Sequence, residues 1–187
     1  MGDAIRVGAI LISWTAVAFG DLDLTPRVLE YQLDGVKLSQ LAFTDGSQNV
    51  TYSPPAKWAC SGGGNRLVLH PAESPAEAII TTAKLVHPET FDDSTTKRLC
   101  DEVLASVPSN ATNVTIVARQ LNPLLIERKE TFRVIVNYDY YGQSFERSVM
   151  FLNRQNEQVR FQLTCPRRLF ERLEKAFESS HYTWQNL

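Results

Sequence analysis

The amino-acid sequence predicts an α+β domain in which an antiparallel sheet is covered by helices on both faces. Three long strands are predicted in succession, over residues 131–141, 144–153 and 157–164, and the short polar links between them are typical of hairpins. Two segments with helical periodicity, 94–107 and 166–177, lie outside this group. We therefore expect the strands to form the centre of the domain and the helices to cover it.

The need for two covering layers follows from the side chains of these strands. Phe132, Val134 and Val136 alternate on one face of the first strand, whereas Ile135 and Met150 belong to the opposite face. An antiparallel sheet with one apolar face can leave the other in water, but a sheet that is apolar on both faces must be shielded on both.

The first half of the domain is predicted to be mostly strand. Apolar and polar residues alternate over 36–43 and 50–52, on either side of Asp45-Gly46, which is typical of a tight hairpin. Further strands are expected at 66–69 and 78–86. This region therefore adds strands to those predicted near the C-terminus.

The glycine-rich stretch Ser61-Gly-Gly-Gly-Asn65 raises the question of phosphate binding. A phosphate loop has a Lys and a Ser or Thr after its last glycine and opens a helix. Here Gly64 is followed by Asn65 and Arg66, and then by a β-prone run that stops at Pro71. We therefore interpret the stretch as a turn between two strands, where glycine tolerates a positive φ.

Both predicted helices have recognisable first turns. Asp92-Asp93-Ser94 can cap the first helix, and Pro108 ends it. Pro166 suits the first position of the second helix. The apolar stripe of this second helix contains Leu169, Phe170, Leu173, Ala176 and Phe177. We expect it to dock on a single face of the sheet made by Phe132, Val134, Val136, Phe161 and Leu163.

Residues 1–20 are predicted to be a secretory signal peptide. The uncharged, mostly apolar run over 7–19 follows Arg6, and small residues at Ala18 and Gly20 favour cleavage before Asp21. The run is shorter than the ~20 apolar residues of a membrane span, so no stable span is expected after cleavage. The alternative to a signal peptide is that this run forms a buried first helix of the domain. Residues 21–35 are then an N-terminal extension and residues 36–187 a single domain.

Composition narrows the classes of partner. The chain has 187 residues and a formal net charge of -2 at pH 7, so nothing favours binding to nucleic acid. Its three cysteines include no CxxC pair, which argues against a zinc ribbon or a thioredoxin-type site. No phosphate loop, nucleophile elbow or HExxH helix is present, and no cofactor is predicted.

The order of these elements resembles the PsbP-like fold, an antiparallel sheet between helices that occurs in exported photosystem subunits and small bacterial proteins. Three stretches carry the resemblance: Tyr52-Ser-Pro-Pro-Ala-Lys-Trp58, Tyr138-Asp-Tyr-Tyr-Gly142 and Ala176-Phe-Glu-Ser-Ser180. It covers about residues 36–184. The resemblance implies a binding or assembly factor rather than an enzyme, and it assigns no functional residue to this chain.

Two His-Pro units supply candidate metal ligands. His70 with Glu73 and His87 with Glu89 follow adjacent predicted strands. If both strand ends met at one edge of the sheet, these side chains could bind a divalent transition metal. The alternative is that both histidines are exposed loop residues beside turn prolines.

Two further features have alternative interpretations. The aromatic run Tyr138, Tyr140 and Tyr141 is a candidate interaction surface, because amphipathic rings are enriched at interfaces; the alternative is ordinary packing between strands. Cys165 precedes Pro166 and two arginines, so it could be an activated thiol at a helix start. It also shares the parity of Phe161 and Leu163, which favours an inert cysteine in the core.

These observations predict that the protein is exported to the periplasm or out of the cell. Its predicted function is that of a non-catalytic binding or assembly module, whose partner is an unknown protein or envelope component. The alternative is a small metal-handling protein or enzyme that uses His70 and His87 with nearby carboxylates. Convergence of these side chains in one concave pocket would distinguish the two functions.

Overall fold

The computed structural model describes residues 22–187, so the predicted signal peptide lies outside the described residues. In chain order the elements are β1 (Leu22–Leu33), β2 (Val36–Asp45), β3 (Gln48–Tyr52), β4 (Trp58–Gly63), β5 (Arg66–Pro71), β6 (Glu77–Lys84), α1 (Asp93–Ala105), β7 (Thr112–Leu121), β8 (Thr131–Tyr140), β9 (Gln143–Asn153), β10 (Glu157–Pro166), α2 (Phe170–His181) and β11 (Gln185–Asn186). A short 3₁₀ turn, Arg167–Leu169, leads into α2.

The strands form two antiparallel sheets. A seven-stranded sheet has the order β4-β5-β6-β10-β9-β8-β7, and a four-stranded sheet has the order β1-β2-β3-β11. The α+β class and the antiparallel pairing are as predicted from the sequence, whereas the second sheet is not. The segment 21–35, which we expected to be an extension, provides strand β1 from Leu22 onward.

Helix α1 begins as its sequence predicts. The Asp92 side chain accepts a hydrogen bond from the Thr95 amide at 2.8 Å, which caps the first turn. Leu99 and Val103 of the helix are buried in one cluster with Val134 and Val136 of β8. Helix α1 therefore covers the face of the large sheet that carries the even-numbered side chains of β8.

Helix α2 packs against the opposite face. Leu173 and Phe177 are buried in a second cluster that includes Ile135, Phe161 and Leu163. Trp58 of β4 adds a ring that is nearly parallel to that of Phe177, with centroids 5.9 Å apart.

The strand register corrects one expectation from the sequence. Phe161 is paired with Met150, and Met150 with Arg133, so Phe161 lies on the face of the odd-numbered residues of β8. Phe132, Val134 and Val136, which would share a face with Phe161 if the register were shifted by one residue, instead pack under α1.

The four-stranded sheet shares the second face of the large sheet with α2. Phe43 of β2 and Tyr52 of β3 are fully buried in the same cluster as Phe161. The sandwich predicted from the sequence, with helices as the cover on both faces, is therefore found only in part, because a sheet and a helix together cover this second face.

An aromatic cluster joins the two sheets. The ring of Trp184 lies 5.8 Å from those of Phe43 and Tyr52 and 5.2 Å from that of Phe161. The hydroxyl groups of Tyr52 and Ser180 are hydrogen-bonded at 2.8 Å. The C-terminal residues that follow α2 are thus part of the core.

A buried ion-pair group provides a second link between the sheets. Arg154, in the turn between β9 and β10, pairs with Asp45 of β2 at 2.5 Å and with Glu157 at 2.7 Å. Glu157 also accepts a hydrogen bond from the Leu22 amide at 3.4 Å. Both acids lie at the end of the molecule where β1 begins.

Replacing Leu173 with Ala should destabilise the protein strongly. The side chain is 5 % exposed, and removal of a buried leucine creates a cavity that costs about 2–5 kcal/mol in the free energy of unfolding. Arg172→Ala, at the neighbouring exposed position, is the control and should cost about 0.5 kcal/mol or less. Urea melts of both variants measure the difference, and equal effects would contradict the docking of α2.

His181 should make stability depend on pH. Its ring is 4.5 Å from the rings of Phe161 and Phe177, and neither ring nitrogen has a hydrogen-bond partner within the described residues. Burial, with a smaller contribution from Arg133, lowers the pKa of His181 to about 3. In the unfolded chain the imidazole titrates near ~6.5, so below that pH the unfolded state binds one more proton than the folded state.

The free energy of unfolding should therefore lose about 1.4 kcal/mol per pH unit from this group as the pH falls from ~6.5 towards 3. His181→Phe removes the titrating group and should remove that slope. Urea melts between pH 7.5 and 4 compare this variant with wild type, with the exposed His87→Gln as control. Parallel stability curves for His181→Phe and wild type would refute the assignment.

Candidate interaction surface

The glycine-rich stretch is a turn, as predicted, and it anchors the start of β1. The Leu24 amide donates to the Gly64 carbonyl at 2.7 Å. The Gly64 amide in turn donates to Asp23 Oδ1 and Thr25 Oγ1, both at 3.1 Å. The close approach requires glycine, because a Cβ on Gly63 would lie 2.8 Å from Thr25 Oγ1.

Beyond Pro26 the first two strands leave the body of the protein. Pairing of β2 with β3 runs from Leu41 to Asp45, so among the strands of residues 22–187 the segment 36–40 pairs with β1 alone. We call residues 27–40 the arm. Asp34 and Gly35 close it with φ angles of 49° and 81°, as in a type I′ turn, which suits the twist of a two-stranded hairpin.

The hydrophobic pattern of β2 changes phase where the arm joins the body. In the body, Phe43 points into the core and Leu41 packs against it. In the arm, the apolar side chains are Val36 and Leu38, which have the opposite parity and therefore lie on the other face. A shift of one residue in the alternation moves the apolar side chains from the core face of the sheet to its outer face.

The outer face of the arm is apolar and exposed. Strand pairing places Tyr31 opposite Leu38 and Leu33 opposite Val36. Leu33 and Val36 are each 58 % exposed and Tyr31 is 43 % exposed. Leu29, which is also exposed, extends this face towards the body, so five large apolar side chains form one continuous strip.

The inner face of the arm is mainly polar. Its side chains are Val28, Glu30, Gln32, Lys37 and Ser39, all of them exposed. The arm is thus an amphipathic ribbon whose apolar side points away from the protein's own core. Large apolar patches on a monomer surface are often functional, and this makes the outer face our candidate interaction surface.

The predicted metal ligands do not converge. His70 lies next to the last residue of β5 and is paired with Ala59. His87 follows the end of β6, and the start of β6 lies beside the end of β5. In an antiparallel pair the ends of successive strands lie at opposite ends of the sheet, so the two imidazoles are separated by the length of the hairpin. Within residues 22–187 no group of three His, Cys, Asp or Glu side chains could hold a metal ion.

The two glutamates do not complete a site with these histidines within residues 22–187. Glu73 is exposed in the turn after β5. Glu89 pairs with Arg98 of α1 at 2.6 Å, and its carbonyl accepts a hydrogen bond from Asn153 at 3.0 Å. This arrangement of strands therefore does not bring His70, Glu73, His87 and Glu89 together as one group of ligands.

The three tyrosines do not form one surface. Tyr138 is 3 % exposed and stacks on Phe145, with ring centroids 5.7 Å apart. Tyr140 packs against the same cluster beneath α1, and Tyr141 is 81 % exposed in the turn after β8. Tyr138 belongs to the core because the register directs even-numbered residues of β8 towards α1, so the interaction surface predicted from this run is not formed by all three.

Cys165 is fully buried, in agreement with the inert alternative. Burial, followed by the negative charges of Glu146 and Glu174, raises the pKa of the thiol to about 12. A thiol of this kind is protonated at neutral pH and is a poor nucleophile.

A cavity beside α1 contains an ion pair between the helix and the large sheet. It encloses about 160 Å³ between the helix and the large sheet, and Arg160 lies at its wall. The guanidinium of Arg160 pairs with Glu102 at 2.9 Å and lies 5.4 Å from the centroid of the Phe151 ring. These contacts hold the helix to the sheet.

The groove along α2 also contains ion pairs between a helix and the large sheet. Arg133 pairs with Glu174 at 2.9 Å and with Glu178 at 2.8 Å, and Ser148 donates to Glu174 at 2.9 Å. Burial is the main influence on Glu174 and raises the pKa of its carboxyl group. These ion pairs hold the helix on the sheet.

No helix within residues 22–187 is long and apolar enough to cross a membrane.

The arm was not predicted from the sequence, although the alternation of apolar residues in β2 contains evidence for it. Within 36–43, Val36 and Leu38 alternate in one phase and Leu41 and Phe43 in the other. Such a change of phase inside a single strand indicates that the strand meets two different surroundings on its two faces.

Replacing Gly63 with Ala should disturb the anchor of the arm. The new Cβ would press on Thr25 Oγ1, and overpacking of this kind typically costs about 1–3 kcal/mol. In a Thr25→Ala background the nearest remaining atom is the Thr25 Cα at 3.6 Å, so the added cost of Gly63→Ala should become smaller. A double-mutant cycle by urea melts measures the coupling, and simple additivity would contradict the proposed contact.

Comparison with known proteins gives a structural likeness without a sequence relative. No protein-family model matches the chain, and no curated protein sequence matches it. A protein of unknown function from Pseudomonas aeruginosa, PA94, is 12% identical over 83% of this chain and 94% of its own, with a TM-score of 0.45, which is too low to support an argument about fold.

The cyanobacterial PsbP (CyanoP) of Synechocystis sp. PCC 6803 is the more informative structure. It aligns with 95% of this chain and 99% of its own length at 10% identity, with a TM-score of 0.52. At this identity the likeness concerns the fold and does not extend to function. Together with the sheet and helix order described above, it identifies the architecture of this chain as a PsbP-like fold.

Proposed function

We propose that the protein is an exported, non-catalytic binding or assembly module that engages a protein partner through the outer face of the arm. The single observation that carries this proposal is the exposed apolar strip centred on Tyr31 and Leu38. The strip takes no part in the protein's own core, so its burial against another molecule would add favourable free energy that folding has not used.

The shape of the arm supports a protein partner. A two-stranded ribbon is marginally stable in water and gains from a surface that packs on it. The arm presents a flat apolar face about five residues long, with Arg27 and Asp34 at its two ends. This combination of an apolar centre and a polar rim is typical of a protein interface.

Charge argues against a polyanionic partner. The arm carries two basic residues, Arg27 and Lys37, and two acidic ones, Glu30 and Asp34. Nucleic-acid binding draws most of its affinity from clustered Lys and Arg side chains, and here the two signs are balanced.

Export remains part of the proposal on the basis of the first 20 residues. Their apolar run and the small residues before Asp21 are typical of a cleaved signal. In that case the arm would begin six residues after the new N-terminus and would meet a partner in the periplasm or outside the cell.

Site-specific photocrosslinking tests the proposed surface. A photoreactive residue at Leu33, on the outer face, should give a discrete adduct in the native cell envelope. The same residue at Gln32, on the inner face, should give at least about fivefold less, because hot-spot contacts are confined to the buried centre of an interface. A third probe at the exposed Arg172 of α2 reports background reaction.

The proposal predicts adducts that depend on the face of the arm. Equal yields at Leu33 and Gln32, or yields at Leu33 no higher than at Arg172, would show that the outer face is not a docking surface. The mass of the adduct identifies the molecule that the arm binds.

A further inference from the structure

We infer that the partner on the outer face of the arm is a second copy of this chain, so that the protein forms a two-fold symmetric dimer through its arms. This inference rests on the proposed function, because it names the molecule that the arm binds. Three properties of the face carry it: its area, the placement of its charges and its symmetry.

The area is sufficient for a weak dimer. The exposed parts of Leu29, Tyr31, Leu33, Val36 and Leu38 amount to about 450 Å² per copy, within the range of patches that mark interaction sites. Two such faces packed together would bury at most about 900 Å², which is smaller than the ~1,200–2,000 Å² of standard interfaces and is typical of a weak, transient association.

The charges select one arrangement of the two arms. Arg27 has the parity of the outer face and lies at its body end, and Asp34 lies in the turn that closes the tip of the arm. The hydrogen bonds of the Arg27 guanidinium go to the neutral oxygens of Thr44, at 2.9 Å, and Asn49, at 2.7 Å. Parallel stacking would place the two Arg27 side chains near each other, whereas antiparallel stacking brings Arg27 of each copy towards Asp34 of the other.

The symmetry of the strip fits the antiparallel arrangement. The pair Tyr31–Leu38 lies at its centre, with Leu33 and Val36 on the tip side and Leu29 on the body side. A two-fold axis through the central pair superposes Leu29 of one copy on the Leu33 region of the other. Arg27 is four residues before Tyr31 and Asp34 three after it, so in the antiparallel arrangement Arg27 of one copy and Asp34 of the other differ by only about 3–4 Å in their position along the strand direction.

Both copies can meet in this way without rearrangement of their cores. All side chains from Arg27 to Ser39 are exposed, and the core begins at Leu41 and Phe43. The interface is isologous, because each copy offers the same face to the other, and it therefore closes as a dimer and does not extend into a fibre.

Sedimentation velocity of the full chain, from about 1 to about 200 µM, is the first test. We expect a concentration-dependent shift from monomer to dimer. Leu33→Asp places a charge in the apolar strip and should raise the dissociation constant at least about tenfold. Gln32→Asp places the same charge one residue away, on the inner face, and should change it less than about threefold.

Cysteine cross-linking tests the geometry in the same protein. In a Cys60→Ser background, which leaves the two buried cysteines in place, Tyr31→Cys lies next to the two-fold axis, and a short bismaleimide should cross-link two copies there, because sheets that pack face to face are ~10 Å apart, too far for a direct disulfide. Ser39→Cys, on the inner face, should not. Thermal melts of all variants confirm that they are folded.

A chain that stays monomeric at about 200 µM, or a dimer that Leu33→Asp and Gln32→Asp weaken equally, would overturn the dimer. If Leu33 still gave crosslinks to a different protein, the proposed binding function would stand and a foreign partner would occupy the face. If the chain were monomeric and Leu33 gave no face-dependent adduct, both the dimer and the proposed function would fall.

Discussion

The contact between the two sheets around Trp184 is the constraint on which the rest of the structure depends. The indole packs at once on Phe43 of the small sheet and on Phe161 of the large one, and it is 1 % exposed. Because Trp184 follows α2, the helix, the C-terminal residues and both sheets must be in place together for this contact to form. Tyr52 adds a hydrogen bond to Ser180 at the end of α2, which fixes the small sheet relative to the helix.

This contact also determines where the arm begins. The buried cluster includes Phe43 and reaches Leu41 at its edge, so β2 is held in the core over its second half. The glycine turn holds the first residues of β1 by backbone hydrogen bonds, and the bulge between Asp23 and Arg27 follows it. Beyond these two anchors the strands no longer lie over the large sheet, and they project as a ribbon.

The sequence was sufficient for those parts of the fold that depend on local pattern. The cap at Asp92 and the hairpin at Asp45-Gly46 each depend on a few neighbouring residues, and the structure confirms both. Register and layer order depend on distant pairing, and these were missed. Val134 and Phe161 were expected on one face, and His70 and His87 at one edge, because alternation gives the parity within a strand but not its alignment with the next.

The arm was missed because residues 27–35 were assigned to an N-terminal extension and residues 36–40 to one strand of a hairpin within the domain. The five large apolar side chains of the outer face pack only on one another across the two strands and stay 36–58 % exposed, so folding leaves much of their apolar surface in water, and polar residues such as Thr or Gln would form the same ribbon. The phase change within β2 places them on the outer face, opposite to the face of Phe43. A fold that needed only a stable monomer would gain solubility from polar residues there. We therefore attribute the apolar strip to contact with a second molecule. The opposite charges of Arg27 and Asp34, at the two ends of the arm, favour a second copy of this chain as that molecule.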